Sequence, residues 1–116
     1  MSRVEVWVCR EEELGPGTVR TARLGHDADG LPIQALLMRD DDGAVVAYRN
    51  LCRHLPVPLD GGTGELLSDD RAHLVCGTHG ATYRVRDGYC VEGPCEGMTL
   101  QRLTVRLAAG DLYVSL

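Results

Sequence analysis

Apolar and polar residues alternate along much of this chain with a period of two, which is typical of strands that bury one face. The first alternation runs through Val4, Val6 and Val8, and further candidate strands cover 18–24, 33–39, 44–49, 73–76, 81–85, 88–91, 103–108 and 112–116. Asp-Gly and Gly-Asp steps lie between several of them, as expected of hairpin turns. The one helix candidate, 11–14, runs directly into Gly15-Pro16-Gly17. The pattern predicts an all-β fold, an antiparallel sandwich or barrel.

Length and composition fit a single globular domain over residues 1–116. The chain has 116 residues, of which 44% are hydrophobic and 25% charged, and a domain of this size can bury a core of its own. Only 4% are aromatic, so aliphatic side chains must fill most of that core. The 14 glycines favour many turns and short strands.

The net charge of −5 narrows the possible partners. A nucleic-acid binder needs a basic surface to neutralise phosphates, so that class is disfavoured. The first residues contain no apolar run of the kind found in signal peptides, and no stretch approaches the length of a membrane span. We therefore expect a cytoplasmic protein with reduced thiols, one that neither binds nucleic acid nor enters a membrane.

Two short motifs, each with one cysteine and one histidine, lie at the two ends of a long turn-rich stretch, 54–70. The first motif is Cys52-Arg53-His54, and the second is Cys76-Gly77-Thr78-His79-Gly80. Each supplies one thiolate and one imidazole close to a predicted strand end. Soft ligands that converge from two loops on a rigid sheet are what a transition-metal site requires.

Three interpretations of these four residues compete. They could be unconnected, since a single cysteine is often only a small buried apolar residue. They could close a structural zinc site, although zinc sites more often keep like ligands together in each loop. They could also hold a Rieske [2Fe–2S] cluster, in which two cysteines bind one iron and two histidines bind the other. The mixed Cys-His order in both loops favours the third interpretation.

At these motifs the sequence resembles the Rieske iron–sulfur family, and the resemblance extends over most of the chain. It includes Gly80 after the second histidine, an aromatic residue at Tyr83 and a later Gly93-Pro94. It implies a sandwich or barrel of antiparallel sheets with a small cluster-binding lobe at its tip, over about residues 50–96. Within that lobe it implies cysteine ligands to the inner iron, histidine ligands to the outer iron, and a proline loop that covers the cluster from a third side. The implied ligands are Cys52, His54, Cys76 and His79, and the other implied cofactor-binding residues are Gly80, Tyr83, Gly93 and Pro94.

The implied function is electron transfer by a soluble Rieske-type ferredoxin. A cluster whose irons are all ligated by the protein offers no open position to a substrate, so we expect an electron carrier with no catalytic residues. It would pass single electrons from a reductase to an acceptor such as an oxygenase, and as a monomer it would bind each partner through a small transient interface. The alternatives are a small subunit or interaction module of a larger reductase, similar to nitrite-reductase small subunits, and a redox sensor.

Several residues depart from the high-potential members of that family. Those members carry an extra cysteine in each ligand loop, joined as a disulfide, and a serine where this chain has Ala81. With fewer hydrogen-bond donors to the cluster, we expect a reduction potential in the lower half of the Rieske range, roughly −150 to +50 mV. Cys90 and Cys95 lie outside the ligand pattern. We expect two buried thiols there, with a disulfide between them as the alternative.

Overall fold

Nine strands and one 3-10 turn make up the described part of the chain, which in this computed structural model is residues 5–51, 67–68, 72–76 and 80–116. The 3-10 turn, Glu11–Glu13, follows the first strand. The strands are β1 (Glu5–Arg10), β2 (Arg20–His26), β3 (Pro32–Arg39), β4 (Val45–Arg49), β5 (His73–Val75), β6 (Thr82–Arg84), β7 (Cys90–Glu92), β8 (Arg102–Ala108) and β9 (Asp111–Ser115).

Six of these strands form one antiparallel sheet in the order β1-β9-β8-β4-β3-β2. Its edge strands, β1 and β2, lie close to each other, so the sheet curls nearly into a barrel. Register shifts in β1 and β2 add local twist where the sheet bends. The inside is filled by small and aliphatic side chains, as the scarcity of aromatic residues requires: Cys9, Leu14, Leu24, Ile33, Ala35, Leu37, Ala47, Leu103, Leu112 and Val114.

The remaining strands form a small antiparallel sheet in the order β5-β6-β7. Each has only three residues. The β6–β7 turn is the predicted Asp-Gly turn, in which Gly88 adopts φ +74° and its N–H donates to the Arg84 carbonyl at 2.7 Å. A side chain at Gly88 would collide with the ring of Tyr48, because an added Cβ would lie 2.8 Å from Cε1.

A second core lies between the two sheets. Strand β3 contributes to both cores, with Ala35 and Leu37 inside the large sheet and Leu36 and Met38 facing the small one. Tyr48 on β4 joins the sheets directly, since its hydroxyl donates to the Val85 carbonyl at 2.6 Å. This packing fixes the small sheet against one face of the barrel.

The all-β prediction is confirmed. Each of the nine predicted strands is present in the described residues, with ends that differ from the prediction by at most two positions. The helix candidate at 11–14 is only a 3-10 turn, because Gly15-Pro16-Gly17 leaves no room for a second turn of helix. Most of the predicted long loop, 54–70, lies outside the described residues. In the described part of the chain no helix is long and apolar enough to cross a bilayer.

Candidate metal centre

Cys76 occupies the position that immediately follows β5, and its side chain is fully buried. Its N–H donates to the Ala81 carbonyl at 2.8 Å, and its carbonyl accepts the Gly80 N–H at 3.0 Å. These two bonds extend the β5–β6 hairpin by one step and bring together both ends of segment 77–79, which is outside the described residues. The second ligand motif therefore starts from a rigid hairpin end.

Two glycines of the predicted site are needed for different physical reasons. Gly80 adopts φ +73°, while no described atom lies within 4 Å of the place a Cβ would take, so the backbone conformation alone requires glycine. Gly93 adopts φ +100° and is also crowded. A Cβ there would lie 2.7 Å from the Cα of Ala81 and 3.3 Å from the Gly80 carbonyl oxygen. The Gly93-Pro94 loop thus lies directly against Gly80 and Ala81.

Tyr83 is fully buried on β6, opposite Leu74 on β5. Its hydroxyl oxygen lies 2.9 Å from the sulfur of Cys95. In the high-potential members of the family that the sequence resembles, the corresponding tyrosine donates its hydroxyl proton to a cysteine sulfur. The role of Tyr83 as a cofactor-binding residue stays a prediction, and the sequence did not indicate that its hydroxyl contacts Cys95.

Cys90 and Cys95 are both buried thiols, as expected from the sequence, and their sulfur atoms lie 3.2 Å apart. The Cys90 sulfur also lies 3.2 Å from the carbonyl oxygen of Glu92. Burial, followed by the hydrogen bond with Cys95, raises the pKa of Cys90 to about 11. The Cys90 thiol is therefore protonated at neutral pH.

The described residues include five of the eight predicted site residues. Cys76, Gly80, Tyr83 and Gly93 surround one end of the small sheet, and the exposed Pro94 follows them on the covering loop. The other three predicted ligands, Cys52, His54 and His79, lie outside the described residues, as do Arg53 and Gly77.

The strand that leads to the first motif is fixed by polar residues that the sequence analysis missed. Arg49 donates to the Asp27 carboxylate at 2.8 Å, and its Nε is buried with no hydrogen-bond partner in the described structure. Asn50 is joined to Gln34 twice, by its backbone N–H at 2.7 Å and its side-chain amide at 2.8 Å. Two consecutive polar residues at the end of an apolar strand, just before a cysteine, are the signal that could have indicated this support.

Comparison with known proteins agrees with this geometry. The family model described as "Rieske [2Fe-2S] domain" matches residues 4–105. A search of curated proteins finds no match.

Solved structures of carbazole 1,9a-dioxygenase components share the fold. The reduced complex between oxygenase and ferredoxin of that enzyme aligns with a TM-score of 0.74 and 23% identity, over 97% of this chain and 28% of the matched chain. The terminal oxygenase from Nocardioides aromaticivorans IC177 gives a TM-score of 0.69 and 26% identity, over 95% and 29%. That from Novosphingobium sp. KA1 gives 0.68 and 25%, also over 95% and 29%.

The chain spans less than a third of the length of the structures it matches. What it shares with them is therefore one domain of a larger protein. The family match, in contrast, covers most of this chain, and with it a Rieske-type [2Fe–2S] cluster is the implied cofactor. The chain belongs to the Rieske [2Fe-2S] domain family.

Proposed function

We propose that this protein is a one-electron carrier whose [2Fe–2S] cluster is bound by two cysteines and two histidines. The observation that carries the proposal is the family match over residues 4–105, which includes both Cys-His motifs. The proposed ligands are Cys52 and Cys76 for the inner iron, and His54 and His79 for the outer iron.

The described residues fit such a cluster. The thiol of Cys76 is shielded from water, and its hairpin end is closed by two backbone hydrogen bonds. Gly93 approaches Ala81 so closely that no side chain fits between them, which supports the role of the Gly93-Pro94 loop as a cover. When bound, the cluster supplies a site that accepts and releases one electron.

Electron transfer is favoured over catalysis because four protein ligands leave no coordination position open on either iron. Histidine ligation makes the outer iron the easier one to reduce, and the potential lies above that of all-cysteine clusters. The net charge of −5 suits transient docking on basic partner surfaces. We place the protein in the cytoplasm and propose a reductase as the donor and an oxygenase as the acceptor.

A second candidate is an electron-transfer unit held within a larger assembly. The matched carbazole dioxygenase chains are more than three times as long as this one, so their Rieske fold is part of a larger polypeptide. The same domain in this protein could serve a stable partner instead of several transient ones. Purification distinguishes the two, because a carrier elutes alone at 12.6 kDa with its cluster, whereas a subunit elutes with its partner.

The test of the cofactor is anaerobic reconstitution with iron and sulfide. We expect two irons and two acid-labile sulfides per chain, the spectrum and electron-spin resonance of a mixed-ligand cluster, and a potential of roughly −150 to +50 mV. In the His79→Cys variant, we expect a lower-potential cluster or none. Cys9→Ser is the matched control, since Cys9 is a buried cysteine inside the large sheet, and it should keep the wild-type spectrum. A colourless protein that binds zinc and no sulfide would overturn the proposal.

The test of the carrier role is turnover between partners. Reduced protein should lose its electron to a Rieske oxygenase faster than the oxygenase receives it directly from the reductase. If the reduced protein keeps its electron in the presence of every such acceptor while the cluster is intact, the carrier role is wrong and the cofactor assignment remains.

A further inference from the structure

The Cys90 and Cys95 thiols form a contact that the proposed electron transfer does not use. Their sulfurs lie 3.2 Å apart, about 1 Å longer than a disulfide bond. Both side chains are buried, and neither belongs to a Cys-His motif. Two thiols at this separation can form a disulfide with a small side-chain movement.

The backbone holds the two cysteines in this arrangement. The N–H of Cys90 donates to the Met98 carbonyl at 2.8 Å, and the Cys90 carbonyl accepts the Gly97 N–H at 3.0 Å. Met98 in turn donates its N–H to the Cys95 carbonyl at 2.9 Å. The segment that carries Cys95 is thus folded back over the first residue of β7, so the folded loop already holds the two sulfurs where a disulfide would join them.

Cys95 is also the anchor of that segment. Between residues 92 and 99 every other residue is exposed, and Cys95 alone is buried. The same segment contains Gly93, which lies against Ala81, the residue whose carbonyl accepts the Cys76 N–H. A bond that holds Cys95 in place would therefore also hold this loop against the proposed metal centre.

We propose that Cys90 and Cys95 are a redox-active dithiol, which a small-molecule disulfide converts into an intramolecular disulfide that fastens loop 93–99. In the first step loop 93–99 opens transiently, and one thiolate attacks the small disulfide and releases one thiol. The second cysteine then attacks the mixed disulfide, forms the Cys90–Cys95 bond and releases the second thiol. The pair loses two protons and two electrons, and the S–S bond of the small molecule is reduced to two thiols.

Formation of the disulfide would also change the hydrogen bond between the Tyr83 hydroxyl and Cys95. In the dithiol state either Tyr83 or Cys95 can donate across their 2.9 Å contact. Once Cys95 is in a disulfide it has no proton, so only the tyrosine can donate. Oxidation therefore fixes the direction of a hydrogen bond in the core that also contains Cys76.

The experiment equilibrates the intact, cluster-loaded protein in glutathione buffers of increasing disulfide content, then quenches in acid, unfolds and alkylates. The chain has five cysteines. We expect five alkylated thiols at the reducing end and three at the oxidising end, with one internally linked peptide that contains Cys90 and Cys95. In the Cys90→Ser variant the link should be absent, and in the control Cys9→Ser it should form as in wild type. Five alkylated thiols at every ratio, or glutathione adducts without the internal link, would overturn the proposal.

Amide hydrogen exchange tests the fastening of the loop. We expect the Gly97 and Met98 amides to exchange at least tenfold more slowly in the oxidised protein, and at one rate in both buffers in the Cys90→Ser variant. Equal exchange in oxidised and reduced wild type would show that the disulfide has no effect on the loop. These readouts do not depend on electron transfer, so the dithiol can fail while the carrier role stands.

Discussion

The six-stranded sheet and the three-stranded sheet differ in how much backbone pairing supports each of them. Strands of the large sheet have five to eight residues, and the sheet nearly closes on itself. Those of the small sheet have three residues each. A few hydrogen bonds per strand are too few for an isolated sheet to be stable, so the small sheet depends on what packs against it.

The two cores also differ in the kinds of side chain that fill them. The core inside the large sheet is almost entirely aliphatic, whereas the core under the small sheet contains two tyrosines and three cysteines, Cys76, Cys90 and Cys95. Aliphatic burial tolerates repacking, but hydrogen-bonded hydroxyls and thiols require particular partners. We infer that the large sheet is the scaffold, and that the small sheet gains its order from specific contacts and from the bound cluster.

The largest effects are expected from cavities placed in each core. Leu37 and Leu74 are both fully buried leucines, one inside the large sheet and one on β5. Each substitution by alanine should cost about 2–5 kcal/mol. Leu37→Ala should lower the free energy of global unfolding measured in urea. Leu74→Ala should mainly speed amide exchange in β5–β7 and lower the iron content. If the two variants show the same exchange pattern, the sheets are one cooperative unit and the comparison is wrong.

The next effect concerns the contact between the loop and the metal centre. Gly93→Ala forces an alanine into the positive φ of this position and brings its Cβ into a clash with the Ala81 backbone, which together should cost about 3 kcal/mol. Gly30→Ala is the matched control, because Gly30 also has a positive φ, +82°, and no described atom lies near its Cβ position. The control should cost about 1 kcal/mol from φ alone. We expect iron binding to fall only in Gly93→Ala, and equal urea midpoints for both variants would exclude the clash.

A smaller effect is expected from the hydrogen bond that joins the sheets. Tyr48→Phe removes the donor to the Val85 carbonyl and should cost about 1–2 kcal/mol in urea unfolding. Tyr113→Phe, at a partly exposed tyrosine of the large sheet, should cost much less. Equal losses in the two variants would mean that the bond between the sheets adds nothing to stability.

The pH dependence of stability gives a second readout for Tyr48. Burial raises the pKa of Tyr48 to about 12, whereas an unfolded chain loses this proton near pH 10. The folded state holds the proton more tightly, so its stability falls as the pH rises from about 10 to 12. Wild type should lose stability over that range more steeply than Tyr48→Phe, and parallel curves would contradict the assignment.

The sequence could predict the parts of the fold that depend on local signals, but not the parts that depend on long-range packing. Period-two alternation and Asp-Gly turns are local signals, and they located each of the nine strands in the described part of the chain, including the three short ones. They could not show that Ala35 and Leu36 enter different cores, because alternation distinguishes the faces of a strand without showing what covers each face. The Tyr48–Val85 and Cys90–Cys95 contacts arise from packing and loop geometry. The spacing of the two Cys-His motifs indicated a metal site, and the family resemblance implied its other residues, but neither could indicate their three-dimensional neighbours.

The smallest effects on stability are expected from two ion pairs, one in each region. Arg49 and Asp27 lie at the end of the large sheet with side-chain exposures of 10% and 21%, while Arg84 and Asp87 in the small sheet are 43% and 41% exposed. In both pairs the hydrogen bond from the arginine is the main cause that lowers the pKa of the aspartate. Water and salt screen the second pair more effectively.

A depressed pKa stabilises the folded state above the unfolded value, near pH 4, and that contribution is lost as the pH falls through the folded value. In wild type the urea midpoint should fall as the pH drops below about 4, and Asp27→Asn should reduce that fall more than Asp87→Asn does. Repeating the series in 1 M salt should reduce the difference between wild type and Asp87→Asn more than that between wild type and Asp27→Asn. The reverse order would mean that the exposed pair of the small sheet stabilises the folded state more than the shielded pair of the large sheet. That result would contradict the inference that the large sheet is the scaffold.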